Sequence, residues 1–245
     1  ESVTASSTTD DEIESALISY ATNYRSNWSD TWYEGCGLGE QEYAEKYSEM
    51  LQSIKANNGF FVGRYEVGSF DNPVTSNDTT RKAVIQKGAY PYNYVTVSQA
   101  QELSEGLAIG NRTSSLMFGI QWDLVLKYLE TKGVSESELK TNSGSWGNYR
   151  DVEFPVEQGN KYSIATNWTL GEWNDVPANY AKPIFDTGGN GILLTTGATE
   201  RNSKMNIYDL AGNVWEWTLG KTTSDSTPCA LRGGHYGNYG DGHPA

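Results

Sequence analysis

The chain has 245 residues, with 18 basic against 31 acidic side chains and a formal charge of −13. That balance argues against a sequence-independent nucleic-acid binder, which needs a basic surface. Eight Trp, 16 Tyr and 6 Phe argue against a disordered acidic chain.

Two Cys rule out a four-cysteine zinc site, and Cys36, Cys229, His235 and His243 lack the paired CxxC spacing. No apolar run approaches the roughly 20 residues that cross a bilayer. Residues 1–10, ESVTASSTTD, read as a polar linker or frayed end, with neither an initiator Met nor a signal-peptide pattern. The expectation is a mature form, an excised piece or a fragment. A Tyr-, Asn-, Gly-, Ser- and Thr-rich composition suits an extracellular or cell-surface protein, or alternatively a phage particle. Cys36 and Cys229 are read either as one disulfide or as two partly buried thiols.

Along residues 11–28, Ile13, Ala16, Leu17, Tyr20, Tyr24 and Trp28 recur at near-helical spacing after an acidic first turn. The acids Asp10, Asp11, Glu12 and Glu14 are read as the solvated start of that helix. Residues 40–56 predict a second helix through Tyr43, Tyr47, Met50, Leu51 and Ile54, ending in a left-handed cap at Asn57-Asn58-Gly59. Residues 59–67, GFFVGRYEV, are dense in strand formers and predict a strand. Ser98–Leu107 and Gln121–Lys132 predict two further helices, the first with Ser98 as N-cap and Gln101 in the capping-box position.

From Gly133 the chain turns Gly-, Asn-, Thr-, Ser- and Trp-rich, with short strand-like pieces at Gly191–Thr196 and Val214–Leu219. The expected fold class is α+β, with helices packed on a small twisted antiparallel sheet and a long loop region. The expected organisation is a polar segment and helical preface over 1–58, then one domain over 59–245.

The sharpest string is Asn206-Ile207-Tyr208-Asp209-Leu210-Ala211-Gly212-Asn213-Val214-Trp215-Glu216-Trp217-Thr218. It reads as a turn at Ala211-Gly212-Asn213 leading into a strand, with Trp215 and Trp217 on one face and Val214 and Glu216 on the other. Asn213, Val214 and Glu216, with nearby carbonyls, offer the hard oxygen ligands that calcium prefers. Asn213 and Glu216 can equally pin the loop by hydrogen bonds alone, and both readings stay open.

At this string the chain resembles the formylglycine-generating enzyme (sulfatase-modifying factor) family. The resemblance continues in Leu231-Arg232-Gly233-Gly234-His235-Tyr236, which is similar to the family's RGG element. It extends to Phe61–Val67, Tyr94–Ala100 and Met117–Asp123 in the order the family keeps. It implies an elaborated C-type-lectin-like fold, often with bound calcium, one site of which uses residues matching Asn213 and Glu216. It also implies a sheet completed by a strand some 25 to 40 residues beyond the RGG element. Only 13 residues follow Arg232, so a truncated chain is the expectation.

Active members of that family oxidise a substrate cysteine with two cysteines, six and eleven positions after the Arg, that hold copper(I). Those positions here are Asn238 and His243. An amide and one imidazole are poor ligands for a soft monovalent ion, so no copper is expected. The loop His235-Tyr236-Gly237-Asn238-Tyr239-Gly240-Asp241-Gly242-His243 instead has the vocabulary of an adaptable recognition surface. In this it resembles the variable proteins of diversity-generating retroelements.

His235, Tyr236, Asn238, Tyr239, Asp241 and His243 are therefore the candidate ligand-binding residues, for a protein or glycan partner. The alternatives are a divergent formylglycine-generating oxidase, an iron-dependent oxidase that two His leave one ligand short, and a purely structural domain. Trp173-Asn174-Asp175 is similar to a sugar-lectin calcium motif but reads more simply as chance. Gly188–Gly191 lacks the Lys-Ser/Thr of a phosphate loop and reads as a turn.

Overall fold

The computed structural model describes residues 9–73, 76–224 and 227–245; the expected linker lies outside them except for its last two residues. In chain order the elements are α1 (Asp10–Tyr20), β1 (Trp28–Ser29), α2 (Glu40–Asn57), β2 (Gly68–Ser69), β3 (Tyr90–Pro91), α3 (Val97–Glu105), α4 (Gly119–Thr131) and α5 (Glu136–Lys140). There follow β4 (Phe154–Pro155), β5 (Lys161–Thr166), β6 (Thr169–Asp175), β7 (Ala181–Lys182) and β8 (Gly191–Leu194). A 3-10 turn (Glu200–Asn202), β9 (Ser203–Lys204), β10 (Ile207–Tyr208), β11 (Glu216–Thr222) and β12 (Cys229–Arg232) complete the order. The fold is α+β, with small antiparallel sheets.

The described residues form two compact units, one drawn from 9–62, 97–131 and 217–230, the other from 63–96, 132–216 and 231–245. Helices α1, α2, α3 and α4 fall in the first unit.

In the first unit, α1 starts from a capping box in which Thr9 and Glu12 satisfy each other's backbone N–H groups. It buries Ile13 and Leu17 against Leu51 and Ile54 of α2, Ile120 of α4 and Leu219 of the antiparallel β1-β11-β12 sheet. Helix α2 stops where expected, at Asn58 with φ 54°, whose N–H reaches Ile54 O. Cys36 and Cys229 lie in or against this core as free thiols.

Helix α3 begins at Val97, one residue before the expected N-cap Ser98. Gln101 does not serve a capping box: its Oε1 accepts from Ser115 Oγ and Leu116 N, both at 3.1 Å, and the residue is buried. Helix α4 is capped from far away in sequence, since the Asp30 carboxylate accepts from Gly119 N and Ile120 N. Arg25 then bridges Asp30 and Asp123 at 3.0 and 3.1 Å.

In the second unit, β5 pairs antiparallel with both β6 and β8, giving the order β6-β5-β8. Phe154, Val156, Val176, Ile192, Leu194 and Ala198 form its core. The strand predicted over 59–67 is absent. Phe61 is 87 % exposed, and this stretch makes isolated backbone bonds, from Tyr208 N to Arg64 O and from Tyr92 N to Val67 O, rather than a ladder. Asp175 of the Trp-Asn-Asp string is ion-paired with Lys161 across β5 and β6, which favours its plain strand reading.

Lys182 is fully buried, and its Nζ donates to Tyr149 O (2.6 Å), Val152 O (2.8 Å) and Pro183 O (3.3 Å) between the rings of Phe154 and Phe185. Burial, reinforced by Arg201, pushes its ammonium down to about 7. Lys182→Met fills the same volume but strands three carbonyls. The expected cost is about 2–3 kcal/mol in denaturant-melt stability. A loss under about 1 kcal/mol would mean that water reaches those carbonyls.

Candidate functional site

The site lies in the second unit, on the chain that leaves β12. Gly233 and Gly234, at φ 80° and 73°, turn the backbone into the loop 235–243. The hydroxyl of buried Tyr149 lies 2.9 Å from Gly233 O and 2.8 Å from His243 O, so one donor ties both ends of the excursion. Such a compact loop with closed ends is held by its own contacts.

Within it, His235 N donates to Asn238 Oδ1 at 3.0 Å and Asn238 N donates to His235 O at 2.9 Å. Gly237 N donates to His235 Nδ1 at 3.0 Å, which leaves the imidazole proton on Nε2. Burial and the nearby His243 push His235 down to about 4, so the ring is neutral at physiological pH.

The six candidate ligand contacts therefore differ in what they offer. Tyr239, Asp241 and His243 are exposed, and His235 and Tyr236 are half-buried. The oxygen of Asn238 is spent on closing the turn. Aromatic rings surround His235, with centroids at 5.6 Å for Trp168, 5.7 Å for Trp215 and 5.1 Å for Tyr236. Trp215 also meets His243 edge-on at 5.2 Å.

Beneath the loop lie three buried acids. Glu66 accepts from Asn213 Nδ2 at 2.6 Å and from Val214 N at 3.3 Å. Asp209 accepts from Gly197 N at 2.6 Å. Both oxygens of Glu216 are closed off from solvent with no hydrogen-bond partner. Burial raises all three carboxyls: Asp209 reaches about 7, while Glu66, with Asp209 beside it, and Glu216, with both beside it, stand well above the ordinary range.

An orphaned, dehydrated carboxyl is either protonated or neutralised by a cation. Glu216 thus fits a hard cation. The Asn213 side chain does not, because its oxygen accepts from Asn148 Nδ2 (2.9 Å) and Leu194 N (3.1 Å). Among the described residues no three His, Cys, Asp or Glu side chains form a metal-holding group. A cation here would draw on Glu216 and on backbone carbonyls such as that of Val214.

The family profile of the sulfatase-modifying factor enzyme 1-like domain matches residues 35–242. The chain belongs to that family. The matched span of the sulfatase-modifying factor domain includes α2. Its α+β arrangement is the C-type-lectin-like one of the family. No curated protein and no solved structure matches the chain. Among the described residues no helix is long and apolar enough to cross a membrane.

Four side chains around this loop of the sulfatase-modifying factor domain were not among the residues read from the sequence as candidates: Glu66, Asp209, Trp168 and Arg150. Glu66 and Asp209 stand inside quoted motif strings, where their burial together leaves no trace. Trp168 and Arg150 carry no local signal at all.

Proposed function

We propose that the chain is a non-catalytic recognition domain on the sulfatase-modifying factor scaffold, presenting loop 235–243 to a protein or glycan on a cell or particle surface. The observation that carries this reading is the loop chemistry. The positions six and eleven after Arg232 hold Asn238, whose side chain staples the turn, and His243, which is exposed. Tyr236 and Tyr239 supply amphipathic contact area, and Asp241 and His243 add directional polar groups. The buried Glu216 is the proposed seat of a calcium ion, which would neutralise the carboxyl and stiffen the ground beneath the loop.

The test is the double variant Tyr236→Ala/Tyr239→Ala. Tyr239 is exposed and Tyr236 half-buried, so the melting temperature is expected to stay within about 5 °C. Capture on the target surface is expected to drop at least about tenfold. Unchanged capture would place the recognition face elsewhere. A copper-loaded preparation that oxidises a cysteine peptide with dioxygen would overturn the non-catalytic reading.

A further inference from the structure

Arg150 is a buried cation without an acid. The residue is 3 % exposed, its Nε donates to Phe185 O at 3.0 Å, and its Nη2 is closed off with no acceptor. The arginine ion pairs of the described residues are made by Arg25 and Arg81. A guanidinium left in this state is costly unless something takes its protons.

The Tyr239 ring covers one guanidinium face, with Cζ 4.4 Å from the centroid. Nε is already used, so the unpaired edge is Nη1–Nη2: Nη1, which is not closed off, is the end a carboxylate meets first, and Nη2 behind it completes a fork of two parallel bonds. A Cβ on Gly188 would stand 3.3 Å from Nη1. Gly188 is not among the positive-φ residues, so its backbone does not demand glycine. The missing side chain leaves room beside the fork.

The next residue makes room for an indole. A Cβ on Gly189 would stand 2.8 Å from Trp168 Nε1, yet Trp168 remains 56 % exposed. Asn167 and Trp168 are the two-residue tip between β5 and β6, both with positive φ (49° and 67°). A bulky aromatic at the position where such turns favour Gly is strained by about 1–3 kcal/mol. Trp168 N to Gly189 O (2.8 Å) and Asn167 N to Asn190 Oδ1 (2.9 Å) hold it there.

We propose that Arg150 and Trp168, flanking Gly188–Gly189, form a subsite for a sugar acid, with the carboxylate on the guanidinium edge and a C–H face of the ring on the indole. The pairing follows from chemistry. In a chain of charge −13, an anion is selected only by a cation placed for it. The weakly positive C–H face of a pyranose suits the negative face of an indole. The inference deepens the recognition reading and rests on it.

The test titrates the full chain with sodium glucuronate and with N-acetylneuraminate, followed by tryptophan fluorescence. Methyl glucopyranoside serves as the neutral counterpart and inorganic phosphate as the ring-free anion. At least one sugar acid is expected to bind about tenfold or more tighter than either comparator. Arg150→Lys, which keeps the charge and loses the fork, should weaken it about tenfold. Gly188→Val, at an exposed position, should do the same with a melting temperature within about 5 °C of the parent.

Equal affinity for the sugar acids and either comparator overturns the assignment, as does binding that survives Gly188→Val. If neither acid binds while Tyr236→Ala/Tyr239→Ala still abolishes surface capture, the subsite falls and the recognition reading stands.

Discussion

Gly233→Ala is expected to lower the melting temperature by roughly 10 °C. Two penalties coincide there. The backbone sits at φ 80°, where an L side chain is strained by about 1 kcal/mol or more. The added Cβ would also stand 2.1 Å from Glu216 Oε2 and 2.9 Å from Leu210 O, and neither neighbour can swing into solvent. Together they come to about 3–5 kcal/mol, and a chain of this size loses about 2–4 °C per kcal/mol. Gly159→Ala separates the two terms, because Gly159 shares the conformation (φ 93°) but has nothing within 4 Å of its would-be Cβ. It should cost about 1 kcal/mol. Equal shifts for the two variants would mean that Gly233 provides no room for Glu216.

What the sequence made legible follows from where each signal resides. Helices α1 and α2 carry their own instructions: an apolar period, a Thr9–Glu12 box and a left-handed Asn58. The start of α4 does not, because its capping carboxylate is Asp30, 89 residues away from Gly119. The β5–β6 hairpin escaped notice because its tip is Asn167-Trp168 instead of Asn-Gly. The predicted strand at 59–67 failed for the opposite reason: its residues have strand propensity, but among the described residues single backbone bonds from Tyr208 and Tyr92 take the place of a ladder.

The loop 235–243 was readable because its glycines and the preceding Arg232 form a local string. Its supports were not. Tyr149, Arg150 and Trp168 reach it only through the folded second unit, and Asn213 proved to be a hydrogen-bond hub between Asn148, Leu194 and Glu66. A sequence displays an asparagine as a possible ligand; only packing decides whether its oxygen is already engaged.

The buried acids give the second large effect, a stability that falls as pH rises unless a cation is supplied. In the unfolded chain these carboxyls ionise near pH 4. Folded, Asp209 holds its proton to about 7, and Glu66 and Glu216 are also raised. The folded state therefore binds more protons across that interval. Stability is full below about pH 4 and declines by about 1.4 kcal/mol per pH unit for each such carboxyl until the folded group ionises. In chelator, the melting temperature attributable to these groups should thus drop between pH 5 and 8.

A cation at Glu216 takes the proton's place, so its benefit grows over the same interval. Calcium at about a hundred times its dissociation constant is worth about 2.7 kcal/mol. That corresponds to a rise of roughly 5–10 °C at pH 8 and little at pH 5. Glu216→Gln, an uncharged isostere, should melt above the parent in chelator at pH 8 and ignore calcium. A parent protein whose melting curve is the same with and without calcium at both pH values would leave protonation as the sole state of Glu216, and the metal would drop out of the account.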